Sequence, residues 1–296
     1  MALFVKFWGT RGSIPTPGPA TSRYGGNTAC VEIRVDDTLL ICDGGTGLRE
    51  LGMDLMRRAR GKPIVGHLLF SHPHWDHIQG FPFFTPIYQP ANKFSIYGFA
   101  RGDQRIFRLL SGQMRSDYFP VDFSELSATI RPAELENGQG AIEGVYVRAL
   151  PQTHPGGSWA FSFEAQGRKV VYATDHELDL HLPDREVSMS HPEAVREMPG
   201  SLVDFVAGAD LLIADGQYTD EEYRSKVGWG HPRATTTVDL AIAGNVKQLA
   251  ITHHDPMQTD VDVEAKIAAC RERAASRGAK DLVIFAAREG VELKLA

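Results

Sequence analysis

Seven consecutive residues, Ser71-His72-Pro73-His74-Trp75-Asp76-His77, constrain this chain more than any other part of its sequence. The run contains three imidazole groups and one carboxylate, which are more potential metal ligands than a structural turn requires. An apolar segment, residues 64–70, precedes the run and is predicted to be a buried strand. The loop after that strand can direct His72 and His74 to one side and Asp76 and His77 to the other. The pattern therefore predicts two neighbouring metal ions.

Four ligand groups do not fill two metal sites, so further ligands are expected elsewhere in the chain. Three candidates each follow a predicted strand: His154, Asp175 and His253. We expect all three to lie just past the C-terminal end of their strand, where side chains converge on a sheet edge. Imidazole and carboxylate groups together favour zinc as the divalent ion, with manganese or iron as alternatives.

Hydrophobic patterning predicts two blocks of strands separated by helices. The predicted strands are residues 3–8, 29–35, 38–42, 64–70, 94–97, 144–150, 159–164, 169–173, 211–214 and 248–252. The predicted helices are one that starts at residue 48 and ends at Gly61, and three further helices at residues 201–207, 234–243 and 263–274. Two sheets covered by helices is the simplest packing of these elements, and we predict a single α/β domain over residues 1–296.

Charge and cysteine content narrow the class of protein further. The net charge is −6, from 31 basic and 37 acidic residues, and no basic run occurs, which argues against strong nucleic-acid binding. The three cysteines are far apart, which is typical of a reducing compartment. No apolar stretch is long enough to span a membrane. We therefore expect a cytoplasmic protein without membrane contact.

The order of these residues resembles the metallo-β-lactamase superfamily. An HxHxDH run is followed by a histidine, an aspartate and a second histidine, each after a strand, and the similarity spans residues 3–256. The resemblance implies a four-layer αββα sandwich. It also implies that one metal is held by His72, His74 and His154, that the other is held by Asp76, His77 and His253, and that Asp175 bridges both.

One further aspartate has a counterpart in the same superfamily. Asp43, in Ile41-Cys42-Asp43-Gly44-Gly45, resembles an early buried aspartate of the family. The resemblance implies that Asp43 orients the metal-binding loop without being a ligand itself. A carboxylate can do so by fixing the tautomer of a ligand imidazole.

A second segment indicates one branch of the superfamily. Residues 228–236, which include His231, are similar to a segment of the ribonuclease Z-like phosphodiesterases, although Pro232-Arg233 stands where a Ser-Thr pair is common. The resemblance implies that His231 is the general acid that protonates the leaving oxygen. A bridging aspartate, with no cysteine nearby, suits displacement at phosphorus.

These features predict a dinuclear metal-dependent phosphodiesterase with Asp76, Asp175 and His231 in its catalytic centre. We expect a metal-bridging hydroxide to attack a small or cyclic phosphodiester, with a cyclic nucleotide favoured. No long basic arm is recognisable, and the polar insert at residues 176–199 is acidic. The alternatives are a ribonuclease Z-like RNA phosphodiesterase, a lactone or thioester hydrolase, and a metal-bound scaffold without catalysis. We also predict a homodimer.

Several residues near the predicted ligands have open roles. Residues 101–125 could form a lid, a dimer surface or part of the core. Aromatic residues beside the ligand loops could stack on a base, although Phe81, Phe83 and Phe84 are better explained as packing. A substrate phosphate could pair with one of three arginines: Arg11, Arg23 or Arg233.

Overall fold

A computed structural model describes residues 3–98 and 105–295 of this chain. The chain divides into two compact units. The first comprises residues 1–17, 25–143 and 288–296, and the second comprises residues 18–24 and 144–287. The single domain expected over residues 1–296 stays a prediction. Within the two described ranges, no helix is both long enough and apolar enough to cross a membrane.

Within the described residues, the first unit contains eight strands, of which all but β7 (Gln139–Ile142) form one seven-stranded sheet, and its elements are numbered here along the chain. The strands are β1 (Leu3–Gly9), β2 (Cys30–Val35), β3 (Thr38–Cys42), β4 (Val65–Leu69), β5 (Lys93–Tyr97), β6 (Thr129–Ala133), β7 (Gln139–Ile142) and the last strand of the chain, β14 (Glu292–Leu295). The helices are α1 (Gly47–Ala59), α2 (Trp75–Ile78) and α3 (Arg105–Gly112).

The strand order in this sheet is β14-β1-β2-β3-β4-β5-β6. Strands β3 to β6 are parallel, whereas β14, β1, β2 and β3 pair antiparallel. Helix α1 places Leu48, Leu51 and Leu55 in the core and ends at Arg60, which has a left-handed backbone. Residues 71–77, called here the metal loop, follow β4. They therefore lie at the edge of the sheet where its parallel strands end.

The second unit contains the remaining strands. They are β8 (Val145–Gln152), β9 (Ser158–Ala165), β10 (Arg168–Ala173), β11 (Leu211–Asp215), β12 (Gln248–Thr252) and β13 (Val283–Ala286). The helices are α4 (Arg185–Ser190), α5 (Gly200–Val206), α6 (Asp220–Tyr223), α7 (Ala234–Ala243) and α8 (Asp260–Ser276).

The order of these strands is β13-β12-β11-β10-β9-β8. Strands β10, β11, β12 and β13 are parallel to one another, so their C-terminal ends lie at a common edge, whereas β9 pairs antiparallel with β10. Open sheets of this kind present ligand-binding groups at that edge. Residues from α5, α7 and α8 pack on the sheet in one apolar cluster that includes Phe205, Val238 and Ile267.

The predicted α/β class with two sheets is confirmed. The strands at residues 38–42 and 248–252 and the helix at residues 234–243 have the predicted bounds. Strands β6, β7, β13 and β14 were not predicted. Residues 101–104 of the 101–125 segment lie outside the described residues. In the rest of that segment, Leu110 and Met114 are fully buried in the core of the first unit.

Candidate metal-binding site

The metal loop of the first unit brings its four predicted ligands into two pairs. His72 Nε2 lies 2.9 Å from His74 Nδ1, and His77 Nε2 lies 3.2 Å from Asp76 Oδ2. His72, Asp76 and His77 are buried, whereas His74 is exposed. Helix α2 begins within this loop and turns Asp76 and His77 away from the extended backbone at His74. The loop thus places His72 beside His74 and Asp76 beside His77, although the ring centroids of His72 and His77 are also only 4.3 Å apart, so that the direction of the two pairs to opposite sides stays a prediction.

Asp43 holds this loop in place. Its Oδ1 atom accepts a hydrogen bond from Ser71 N at 2.7 Å, and its Oδ2 atom accepts from Ser71 Oγ and is 2.8 Å from His77 Nδ1. Because a carboxylate only accepts, His77 carries its proton on Nδ1 and presents Nε2 to a metal ion. The predicted orienting role of Asp43 agrees with these contacts.

Two other backbone segments close around the loop. Ser13 N donates to Asp76 Oδ2 at 2.7 Å, so the long loop after β1 fixes the one carboxylate among the four predicted ligands of the metal loop. Gly45 lies directly against the loop, because a Cβ atom there would be 2.2 Å from Asp76 O. The glycines after Asp43 are therefore needed for close approach of the two backbones.

In the second unit, Asp175 lies between His154 and His253. His154 Nε2 is 3.6 Å from Asp175 Oδ2, and His253 Nε2 is 3.2 Å from Asp175 Oδ1. The three residues follow β8, β10 and β12, as the sequence predicts, and all three are almost fully buried at the side chain. Asp175 and His253 have positive φ angles of 52° and 57°, an uncommon backbone state that is concentrated at functional sites.

The outer nitrogen of each histidine is held by a protein acceptor. His154 Nδ1 is 2.9 Å from the carbonyl oxygen of Gly230, and His253 Nδ1 is 2.9 Å from Gln217 Oε1. Since both partners accept, the proton of each neutral ring lies on Nδ1 and the lone pair of Nε2 faces Asp175. Lone pairs and a carboxylate repel unless a cation lies between them, so this donor set fits a divalent metal ion.

His231 forms a pair with Asp215. His231 Nδ1 lies 2.7 Å from Asp215 Oδ2, and the other carboxylate oxygen accepts from Gln217 N at 2.9 Å. Potential ligand atoms of Asp175, Asp215, His231 and His253 all lie within 4.8 Å of one another. Asp215 was not among the predicted site residues. The signal that could have found it is its position as the last residue of β11, beside the strands that end at Asp175 and His253.

The loop that carries His231 is held by Glu177, a second residue that was missed. The Glu177 carboxylate is buried and accepts hydrogen bonds at 2.7 Å from Gly228 N, Gly230 N and Tyr223 Oη. Burial and the bond to Glu177 raise the pKa of Tyr223. A Cβ atom at Gly230 would lie 2.2 Å from His154 Nδ1, so only glycine fits between Glu177 and His154.

Arg233 is not available for a substrate phosphate. Its side chain is fully buried, and its Nε donates to Asp179 Oδ1 at 2.8 Å. The two terminal nitrogens donate to the carbonyl oxygen and the hydroxyl of Ser188. Arg233 therefore ties the segment at residues 176–199 to the start of α7.

His176, next to Asp175, is also buried. Burial and the neighbouring histidines His181 and His154 lower the pKa of His176 to about 3, so its ring stays neutral. Its Nε2 lies 3.1 Å from His181 Nε2. His254, which follows His253, lies 3.2 Å from the carbonyl oxygen of Ala287. These contacts give both histidines a structural role next to the candidate ligands.

Histidines and aspartates at the strand ends define a metal-binding α/β protein. The Beta-lactamase superfamily domain matches residues 38–254, and the chain belongs to this superfamily. A solved structure of the metallo-beta-lactamase fold protein YhfI from Bacillus subtilis matches with a TM-score of 0.68. It is 15% identical and the match covers 100% of both chains, and this likeness shows the fold.

Curated relatives extend over most of the chain. Ribonuclease Z of Haloarcula marismortui is 23% identical, and the match covers 86% of this chain and 86% of the relative. Ribonuclease Z of Methanosarcina acetivorans is 24% identical, and the match covers 88% of this chain and 90% of the relative. The resemblance to the ribonuclease Z-like branch of the superfamily is confirmed.

The prediction that this chain has no strong nucleic-acid binding is wrong. Its grounds were the net charge of −6 and the absence of basic runs, yet relatives that match most of the chain are named as ribonucleases. Net charge sums over the whole surface, whereas a phosphate backbone responds to the local field. Bound divalent ions can supply positive charge that a count of side chains does not include.

Proposed function

We propose that this chain is a hydrolase that cleaves phosphodiester bonds with the help of two divalent metal ions, with zinc favoured. The observation that carries the proposal is Asp175 between two histidine Nε2 atoms, with the His231–Asp215 pair beside it. The metals would be held as the family resemblance implies. The ligands are His72, His74 and His154 for one ion, Asp76, His77 and His253 for the other, and Asp175 for both.

Two divalent ions in such a centre lower the pKa of a water and neutralise the oxygens of a bound phosphate. The chain's own residues set the positions of these ions. Asp43 fixes His77, Gly230 fixes His154 and Gln217 fixes His253, each through the ring nitrogen that faces away from the ligand atom. This arrangement maintains the ligand geometry before a substrate enters.

His231 is the general acid in this proposal. Its Nδ1 is held by the Asp215 carboxylate at 2.7 Å, which fixes the orientation of the ring. The Nε2 atom is then the position from which a proton is donated to the leaving oxygen of the cleaved bond. An orienting carboxylate behind a catalytic histidine serves the same purpose in other hydrolases.

A small or cyclic phosphodiester, such as a cyclic nucleotide, is the first candidate substrate. Residues 176–199 do not present a basic surface, and Arg233 fastens Asp179 and Ser188 of this segment in the interior of the unit. The segment therefore supports the site from within and does not serve as a phosphate-gripping arm.

An RNA phosphodiester is the second candidate substrate. The observation that favours it is the match to ribonucleases Z over 86% and 88% of this chain, which includes the segment with His231. Hydrolysis at phosphorus by the same residues applies to both candidates, and the leaving group is an alkoxide in each.

Metal content and turnover test the proposal together. We would measure metal ions per chain and hydrolysis of bis(p-nitrophenyl) phosphate, 3′,5′-cyclic nucleotides and a tRNA precursor. The variants are Asp175→Ala and His231→Ala, with His191→Ala as the control because His191 is exposed. We expect two metals per wild-type chain and cleavage of the diesters. Asp175→Ala should lose cleavage of all of them, His231→Ala should lose cleavage of the cyclic nucleotides and the tRNA precursor, and the control should lose neither. Absence of cleavage of all diesters by the metal-loaded protein would overturn the proposal and favour a lactone or thioester substrate.

A further inference from the structure

Trp229 is an exposed aromatic residue on a loop whose backbone is fixed. The side chain keeps 59% of its surface exposed, although it lies only two residues before His231. Large aromatic side chains normally bury most of their surface, and those that remain exposed at functional loops commonly contact a ligand. Core packing does not explain this residue.

The backbone on both sides of Trp229 is anchored. Gly228 N and Gly230 N each donate a 2.7 Å hydrogen bond to the buried Glu177 carboxylate, and Trp229 N donates to the carbonyl oxygen of Lys226 at 3.0 Å. Gly228 and Gly230 both have positive φ angles, which give the loop its sharp turns. Trp229 is therefore presented from a rigid base, and binding there costs little backbone entropy.

Lys226 lies against the indole of Trp229. Its Nζ atom is 3.8 Å from the ring centroid, a cation–π contact that restrains the ring. The remaining exposed surface of the indole is open to a planar group, and two residues of backbone span at most about 7 Å to His231. A nucleotide whose phosphate lies at His231 can therefore place its base near this indole.

We infer that Trp229 is a stacking platform for the base of a nucleotide substrate, and this inference rests on the proposed phosphodiesterase function. The platform recognises a base through its π-face, whether the base belongs to a free nucleotide or to an RNA chain. Trp229 is thus a specificity-determining residue that selects nucleotide diesters over diesters without a base.

Binding of adenosine 5′-monophosphate and ribose 5-phosphate, measured by calorimetry, tests the inference without turnover. We expect wild type to bind adenosine 5′-monophosphate about 5- to 150-fold more tightly than ribose 5-phosphate. This range corresponds to about 1–3 kcal/mol for one stacked base. Trp229→Ala should abolish this preference, whereas Trp229→Phe should keep most of it. Tyr118→Ala, which removes another exposed aromatic ring, is the control and should behave as wild type.

Turnover distinguishes the two sources of the base. We expect Trp229→Ala to raise KM for a 3′,5′-cyclic nucleotide or for an oligoadenylate, with kcat changed less, and the substrate with the larger KM effect identifies the natural source. Equal binding of both monophosphates by wild type, or an unchanged preference in Trp229→Ala, would overturn the inference. A base preference that depends on Trp229 without any diester cleavage would support the platform and contradict the proposed function instead.

Discussion

Asp215 accepts a hydrogen bond from His231 across 2.7 Å, and both side chains are buried. The carboxylate ends strand β11, and the histidine lies on a loop that is held separately by Glu177. Two independent parts of the second unit therefore determine where the imidazole lies. An imidazole fixed in this way does not need to reorganise when a substrate binds.

Loss of His231 should depend on the leaving group. His231→Ala is expected to slow cleavage of a diester with an alkoxide leaving group by about 10²- to 10⁴-fold, because such an oxygen needs a proton as it departs. A p-nitrophenolate departs without protonation, so bis(p-nitrophenyl) phosphate should lose less than about tenfold in kcat. Steady-state kinetics on both substrates check this prediction, and equal losses on the two would exclude the general-acid role.

Asp43→Asn should weaken metal binding without removing a ligand. The substitution replaces one acceptor oxygen by an amide group that cannot accept from Ser71 or His77. We expect metal affinity to fall by about 10- to 100-fold, as for other groups that orient a ligand histidine. Zinc titration against a competing chelator measures this affinity. Asp37→Asn is the control, because Asp37 is exposed. Affinities that are the same in both variants would contradict the assignment.

Glu177→Gln should destabilise the second unit. An amide in place of the carboxylate points an NH₂ group at a backbone N–H, so at least one of three donors loses its acceptor. We expect a loss of about 1–3 kcal/mol in the free energy of unfolding by urea. Tyr223→Phe removes only one of the donors and should cost about 1 kcal/mol. A Glu177→Gln variant as stable as wild type would show that the loop does not depend on this carboxylate.

We expect Lys266 to make the free energy of unfolding rise with pH above about pH 8. It is buried and donates to Gln217 O and Gln258 Oε1, and burial lowers its pKa from 10.5 to about 8. Between these two values the unfolded chain binds a proton that the folded chain does not, so the unfolding free energy contributed by Lys266 increases with pH.

The difference between wild type and Lys266→Met isolates this effect from other titrating groups. We expect the stability of wild type relative to the variant to rise by at most about 1.4 kcal/mol per pH unit above pH 8, and to be constant below pH 7. Urea unfolding from pH 6 to pH 9.5 measures it. A difference that does not change with pH would mean that Lys266 has an ordinary pKa.

The sequence predicts where the candidate ligands lie in the fold because those residues follow local patterns. Histidines in a short run, and single residues directly after an apolar strand, can be recognised without knowledge of distant contacts. Helix α7 and strand β12 have clear hydrophobic patterns and were predicted with the correct bounds.

The residues that were missed depend on distant partners. Glu177 contacts Gly228 and Gly230, about fifty residues further along the chain, so nothing near it in the sequence indicates its role. Asp215 is the last residue of its strand and resembles any strand end until His231 is placed beside it. The net charge led to a wrong prediction about nucleic-acid binding for a related reason. A sum of charges over the chain contains no information on where those charges lie.

The pairing of β1 with β14 has a consequence for how the first unit forms. Leu3 lies opposite Leu295 and Lys6 lies opposite Glu292, so this edge of the sheet joins residues separated by almost the whole chain. Closing so large a loop carries a high entropic cost, and pairings of this kind slow folding. Until β14 is in place, β1 exposes an open strand edge that can pair with another chain. Refolding yield should therefore fall steeply with protein concentration.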